Sequence, residues 1–310
     1  MQWEGKPWHG LSGALKAQFG KKMIKLSLSG GFTCPNRDGT AGYGGCSFCS
    51  PNGSGTFAGA PDAPIQAQLA AQKILLEQKW PGAGYIAYFQ SFTGTYGPPA
   101  VLQSLYGQAL AVPGVEGIAI ATRPDCLGPE VLAVLAALSR RTFLWVELGL
   151  QTVHDETAAA FGRGYPTRRF HEAYGALQAL GIPVVVHLIN GLPGETDAMM
   201  LQSARQVGAL KPWGIKLHLL HVLRGTALEA QWGRGLYAPM TREAYVSLVA
   251  DQLELLPADT VIHRLTGDGP REQLLAPNWS LDKKRTLGAI EETLRRRGSW
   301  QGCRYEKGTG

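Results

Sequence analysis

Short apolar runs alternate with amphipathic stretches along nearly all of this 310-residue chain. Runs rich in branched and aromatic residues predict strands over 23–28, 85–90, 117–121, 142–150, 183–190 and 215–221, with a weak seventh over 260–265. Between them, apolar positions at helical spacing predict helices over 64–79, 99–111, 128–138, 155–161, 168–180, 197–210, 241–256 and 281–297. Strands that alternate with helices in this way build a parallel sheet with right-handed crossovers. Six strong units are fewer than a closed barrel needs, so the expected fold class is α/β, an open or partial TIM-type barrel. No low-complexity linker or short repeat interrupts the pattern. One unit is expected, with an N-terminal segment (1–22), the barrel (23–224) and a C-terminal extension (225–310) packed on it or continuing it.

Barrels of this kind carry their chemistry in loops at the C-terminal ends of the strands. The unusual residues fall there. A Gly- and Cys-rich loop follows the first strand, Gln90-Ser91-Phe92-Thr93 the second, and Thr122-Arg123-Pro124-Asp125 the third. Gln151 follows the fourth, and Gly191-Leu192-Pro193-Gly194-Glu195 the fifth.

Composition narrows the setting. A chain of this length buries enough surface to fold without covalent staples. Its apolar runs fall short of the roughly 20 residues that span a bilayer. The opening residues lack the basic head and apolar middle of a signal peptide, so a cytoplasmic location and no membrane partner are expected. In that setting five cysteines, an odd number, argue against a disulfide framework. The net charge of +6 leans towards an anionic partner, and +4 of it lies in residues 281–310. A solvated last helix accounts for that excess; so does a phosphate-contacting surface, although no zinc-finger or RNP sequence accompanies it.

Three of the cysteines, Cys34, Cys46 and Cys49, fall within sixteen residues with the spacing C-x11-C-x2-C. The last two can grip one metal centre while Gly39, Gly42, Gly44 and Gly45 let the loop wrap the first around it. Glycines also free backbone N–H groups to approach sulfide charge. Iron–sulfur clusters usually take four thiolates, so three leave one iron open to a cofactor. Structural zinc needs a fourth Cys or His, and no histidine lies between His9 and His154. Cys126, at the end of the third strand, keeps the zinc alternative open.

On these residues the chain resembles the radical S-adenosylmethionine (SAM) superfamily, over about residues 15–295, and within it the bacterial YhcC/YtqA type. The resemblance is carried by Cys34-Pro35-Asn36-Arg37-Asp38-Gly39-Thr40, Ala87-Tyr88-Phe89-Gln90-Ser91-Phe92-Thr93 and Ile120-Ala121-Thr122-Arg123-Pro124-Asp125-Cys126. Glu147-Leu148-Gly149-Leu150-Gln151-Thr152, Arg163-Gly164, Gly191-Leu192-Pro193-Gly194-Glu195-Thr196 and Leu265-Thr266-Gly267-Asp268 complete it. More distantly the chain is similar to the radical SAM domain of the Elongator catalytic subunit.

The resemblance implies a partial (β/α)6 barrel with a [4Fe–4S] cluster on Cys34, Cys46 and Cys49. It implies that the open iron chelates SAM, and that an electron splits SAM into methionine and a 5′-deoxyadenosyl radical. The cofactors would carry the hard chemistry and the protein would orient them. By the same likeness Phe48 should lean its backbone towards adenine, and Arg163 should meet the SAM carboxylate. Glu147 and Gln151 become candidates for ribose or amine contacts, and Asn190 and Gly191 belong near ribose and adenine. Many relatives place Gly-Gly-Glu on the second strand to hold the SAM amine; Gln90 and Ser91 stand there instead and supply no carboxylate. Flavodoxin or ferredoxin is the implied electron donor.

Bland readings stand beside these. Glu147 can be a strand acid in a structural ion pair, Arg123 a strand cap, and the Gly-Leu-Pro-Gly stretch only a turn. His218 and His221 read more readily as scaffold than as acid–base groups, and Trp213 and Trp279 as packing. For the substrate, the Elongator likeness and the basic C-terminal stretch favour a transfer RNA base. Radical oxidation or rearrangement of a small metabolite is the alternative, and a non-catalytic, zinc-stabilised nucleic-acid-binding protein a third.

Overall fold

The computed structural model describes residues 3–50, 53, 58–59, 62–267 and 269–306. Asp268 of the C-terminal motif and Lys307 of the basic stretch lie outside them. In chain order the elements are α1 (Leu11–Phe19), β1 (Met23–Leu28), α2 (Ile65–Glu77), β2 (Gly84–Phe89), α3 (Pro99–Leu110) and β3 (Val115–Thr122). Next come α4 (Pro129–Ser139), β4 (Phe143–Gln151), α5 (Asp155–Ala160), α6 (Thr167–Ala179), β5 (Val184–Asn190), α7 (Asp197–Ala209) and β6 (Gly214–Leu219). The chain continues with β7 (Val222–Leu223), α8 (Ala227–Gly233), α9 (Arg242–Leu255), β8 (Val261–Arg264), β9 (Leu274–Ala276) and α10 (Lys283–Arg297).

Seven strands form one parallel sheet in the order β1-β2-β3-β4-β5-β6-β8. The weak seventh unit is therefore a full member of the sheet, and the barrel has seven strands where six were expected. Side chains of all seven, from Ser27 on β1 through Tyr88, Ala121, Glu147, His187 and Lys216 to Arg264 on β8, line a single cavity. A flat sheet cannot bring its two edges to one cavity, so this sheet is curled.

Strand periodicity explains the two faces. Alternate residues such as Leu26, Phe89, Ile120, Leu148, Val186 and Leu217 point outward and pack under the helices in the main core. The intervening positions point inward, and towards the C-terminal ends of the strands they are polar. At the other end the interior is apolar. Leu11, Leu15 and Phe19 of α1 plug it against Met23, Ile86, Trp145, Val185 and Trp213. This short helix escapes sequence periodicity because its stability comes from that docking rather than from its nine residues.

Several helices begin with side-chain caps. Thr196, Thr226, Thr241 and Asp282 each accept a backbone N–H from the first turn of α7, α8, α9 and α10. Beyond α10, Glu254 accepts from Ser299, Arg297 and Arg304, which fastens the C-terminal segment to α9. No helix among the described residues is long and apolar enough to cross a membrane.

Candidate active site

The cavity has a volume of about 510 Å³, and its wall includes Cys34, Cys46, Phe48 and Cys49 from the loop after β1. That loop is held by the loop after α5. Ser47 N–H donates to Phe161 O (2.9 Å), and the Asn36 amide donates to Gly162 O (2.6 Å), Arg163 O (3.1 Å) and Cys46 Sγ (3.5 Å). Gly164 must lack a side chain, because a Cβ there would come within 2.5 Å of Asn36 Oδ1, and its φ of +80° suits glycine. Phe48 packs against Phe161 with ring centroids 5.2 Å apart and planes tilted by 54°.

Two guanidinium groups flank the thiols. Arg37 donates to Ser50 O (2.6 Å) and Cys49 O (3.4 Å). Arg123, paired with Asp125 at 2.7 Å, points Nη1 at Cys34 Sγ at 3.9 Å. A hydrogen bond from Cys46 and the charges of Arg37 and Arg123 overcome burial and hold the Cys49 thiol down to about 7. The same bond and burial push Cys46 up, so one proton is shared between neighbours. Burial and the Asp125 charge push Cys126 up to about 12, which leaves it a neutral thiol inside a turn.

This donor set fits an iron–sulfur cluster: three thiols on one wall, an acidified thiol among them, and fixed positive charge behind. No three Cys, His, Asp or Glu side chains among the described residues are grouped tightly enough to hold one metal ion.

The other expected residues divide into two groups. Gln90, Glu147 and Gln151 line the cavity with the thiols. Gln151 ends β4 with φ of 66°, a strained conformation for a non-glycine residue. Its amide folds over Gly149, where a Cβ would approach within 2.6 Å. Ser91 is buried but does not line the cavity.

Arg163 also lines the cavity, with its donors bonded within the protein, whereas Asn190 and Gly191 are used elsewhere. All five Arg163 donors are engaged: Nε by Tyr165 O, Nη1 by Leu150 O and Thr152 O, Nη2 by Asp155 and Thr167. These bonds tie the end of β4 to the start of α5 and to Tyr165. Asn190 exchanges two hydrogen bonds of 2.8 Å with Gln252 of α9, because Ile189 takes the inward position and its neighbour must face outward. Gly191 donates to Met200 Sδ and accepts from the Tyr237 hydroxyl, so neither residue points at the cavity.

Below the thiols lies a buried network that motif reading passed over. The Glu147 carboxylate is fully buried and accepts from Lys216, from Tyr88, from His187 Nε2 (3.0 Å) and from Trp145 Nε1 (3.2 Å). Lys25 stands 3.7 Å away. Burial opposes the Glu147 charge, but Lys216, Lys25 and His187 outweigh it and hold its carboxyl well below the usual range. The signal was there: Lys216 sits inside the apolar run Gly214–Leu219, and a lysine is almost never buried without a partner.

Three half-buried imidazoles are held neutral. Burial and the Lys216 charge push His187 down to about 4, and burial also lowers His218 and His263 strongly. His263 sits against Trp213 (4.9 Å) and Trp145 (5.8 Å) with neither ring nitrogen bonded. The sign follows from proton linkage. Unfolded, each imidazole takes up a proton as pH falls through about 6.5; folded, it does so only at lower pH. Stability should therefore be steady above pH 7 and fall below about 6.5, by about 1.4 kcal/mol per pH unit for each histidine. Urea titrations between pH 7.5 and 5 check this, and His263→Phe should flatten the slope by roughly one third. A pH-independent midpoint would contradict it.

A curled parallel sheet with three thiols at its mouth and a polar interior beneath defines a half-barrel enzyme built around a cofactor. The chain belongs to the radical SAM superfamily. The family model described as the Radical SAM superfamily matches residues 33–207, and that of the Radical_SAM C-terminal domain matches residues 212–296. It is 46% identical over 302 residues to YtqA of Bacillus subtilis (strain 168), covering 97% of this chain and 94% of that protein. With YhcC of Escherichia coli (strain K12) it shares 36% identity over 282 residues, 90% and 89% of the two chains. Elongator complex protein 3 of Schizosaccharomyces pombe is 34% identical over 158 residues, 50% of this chain and 28% of that one. Among solved structures, an archaeal Elp3 from Methanocaldococcus infernus superimposes with a TM-score of 0.69 at 17% identity, over 90% of this chain and 64% of the other. Methylornithine synthase (PylB) gives a TM-score of 0.54 at 15% identity, over 94% and 86%. These two likenesses establish the shared fold.

Proposed function

We propose that this radical SAM enzyme holds a [4Fe–4S] cluster on Cys34, Cys46 and Cys49, cleaves SAM reductively there, and uses the product to modify a transfer RNA base. The observation that carries the reading is that all three thiols line one cavity, which Gln90 and Gln151 line as well. When bound, the cluster supplies the electron that breaks SAM into methionine and a 5′-deoxyadenosyl radical. The protein's own residues have simpler tasks. Arg37 and Arg123 offset thiolate charge. Gln90 and Gln151 offer amide oxygens to an ammonium or a ribose. The α1 plug and Trp145 keep water out from below. Flavodoxin or ferredoxin supplies the electron.

The RNA part is supported by the similarity to Elongator complex protein 3 and by surface charge. Arg297 and Arg304 are tied to Asp251 and Glu254, and Arg295 to Glu291. The basic surface therefore centres on Lys284, Arg285 and Arg296 of α10. Bulk transfer RNA should bind with an affinity that falls as salt rises, each phosphate contact adding about 0.7–0.9 to the log–log slope. Filter binding from low to physiological salt measures it, and Lys284→Ala with Arg285→Ala should lower the slope. Salt-independent or absent binding would remove RNA from the proposal and leave SAM cleavage standing.

A further inference from the structure

A second cavity, an open groove of about 520 Å³, lies outside the barrel, and the proposed function leaves it unused. Its wall is made by Trp232 of α8, Met240 and Arg242 around the start of α9, Pro277 and Trp279 after β9, and Arg285 of α10. The groove is close to the mouth of the barrel. Leu228 of α8 donates its N–H to Ser47 O of the cysteine loop at 2.8 Å and packs in one cluster with Cys46, Phe48 and Ala276. Trp232 stands one turn further along that helix. One short helix thus touches the cysteine loop near its start and the groove near its end.

The groove has an aromatic part and a cationic part. Trp279 is partly buried and fixed: its indole N–H donates to Met240 O at 3.0 Å, and its ring lies 5.6 Å from Tyr245. Trp232 is 37% exposed, so one ring is held and the other is open to a partner. The lining residues and the start of α10 carry Arg242, Lys283, Lys284 and Arg285 against two carboxylates, Glu243 and Asp282. Glu243 holds Arg242 at 3.0 Å, and Asp282 accepts the Arg285 backbone N–H. The exposed Arg285 guanidinium is therefore the leading donor to an anion. Three kinds of partner can be compared. An acidic peptide would match the charge and leave Trp232 in water. An apolar helix would cover Trp232 but press guanidinium groups out of water without partners, which is costly. A nucleotide carries a flat ring and a phosphate in one unit, and meets both parts at once.

We propose that this groove is a docking site for single-stranded RNA beside the mouth, with one nucleotide stacked on Trp232 and its phosphate on Arg285. The proposal rests on the RNA reading and adds to it a second contact, which holds the strand flanking the nucleotide acted upon. Binding here is tolerant of sequence, because every base offers a ring face.

The test is fluorescence anisotropy of a labelled single-stranded RNA hexamer of mixed sequence, titrated with the reconstituted holoenzyme at several salt concentrations. Unlabelled transfer RNA and poly-glutamate serve as competitors. Trp232→Leu should weaken hexamer binding about tenfold, the worth of one base stack, and leave the salt slope unchanged. Trp232→Phe, which keeps a ring, should recover most of the loss. Arg285→Ala should lower the log–log slope by about 0.7, the share of one phosphate on a single strand. A melting curve on each variant separates lost binding from lost fold. Unchanged affinity in Trp232→Leu overturns the groove even where transfer RNA still binds, and the RNA reading then stands without it. Displacement by poly-glutamate as readily as by transfer RNA also overturns it, in favour of an acidic protein. Hexamer binding that needs Trp232 while transfer RNA fails to compete would uphold the groove and remove transfer RNA from the proposed function. No hexamer binding overturns the groove, and no binding of transfer RNA either overturns the RNA reading with it.

Discussion

Replacing Cys46 or Cys49 by alanine is expected to leave the anaerobically reconstituted protein pale. It should hold far fewer than the about four irons per chain of a [4Fe–4S] protein. Deoxyadenosine formed from SAM and dithionite should fall to background in the same samples. The reason is the donor count. The mouth of the cavity presents Cys34, Cys46 and Cys49, and the nearest further thiol, Cys126, is neutral and buried in the turn Pro124–Cys126. With one of three ligands removed, two thiols remain to hold the cluster, and nothing nearby is free to replace the third. Cys126→Ala is the matched control and should keep its iron. Iron content unchanged by Cys46→Ala would refute the ligand assignment; one equivalent of zinc in the native protein would favour the zinc reading.

Arg163→Met should produce the second large effect, and it should be an effect on the fold. The native guanidinium ties the end of β4, through Leu150 O and Thr152 O, to Asp155 at the start of α5 and to Tyr165 O. Methionine fills similar volume but donates nothing, so three buried carbonyls lose partners at about 1–3 kcal/mol each. The Asp155 pair adds little, since that carboxylate is 56% exposed. Partial hydration of the loop brings the net loss to about 3–5 kcal/mol. For a chain of this size that lowers the melting temperature by on the order of 10 °C. The carbonyls of Gly162 and Arg163 position Asn36 and Arg123 against Cys46 and Cys34, so iron retention should fall as well. A variant that melts normally, keeps its iron and only binds SAM more weakly would return Arg163 to the cofactor. Arg163→Lys, with three donors for five acceptors, should lie between.

Much of this was legible along the chain, and the exceptions are instructive. The main strands and helices lie where periodicity predicted them, because a parallel sheet buried on its outer face imposes apolar residues at every second position. The β7–β9 pair and α8 were not, since strands of two and three residues and a helix of seven carry too little period. Asn190 shows a different limit. A motif gives a position along the chain, and at the rim of a barrel a shift of one residue separates a side chain that faces the cavity, such as Ile189, from one that faces a helix, such as Asn190. His218 read as scaffold from sequence, and only the structure shows that it lines the cavity with Nε2 unbonded.

By itself, the order of residues determined the alternation of strand and helix, the trio of closely spaced thiols and the membership of a superfamily. Each of these depends on spacing within a short stretch or on the ordered succession of such stretches. The tertiary structure alone decided that Lys216, Tyr88, His187 and Glu147, from four strands and spread over 129 positions, meet in one buried network. It also decided that Arg163 spends its donors on three backbone carbonyls and on the side chains of Asp155 and Thr167. Direction and partnership in an interior follow from how a sheet curls and what closes its end, and neither is written in any local window of the chain.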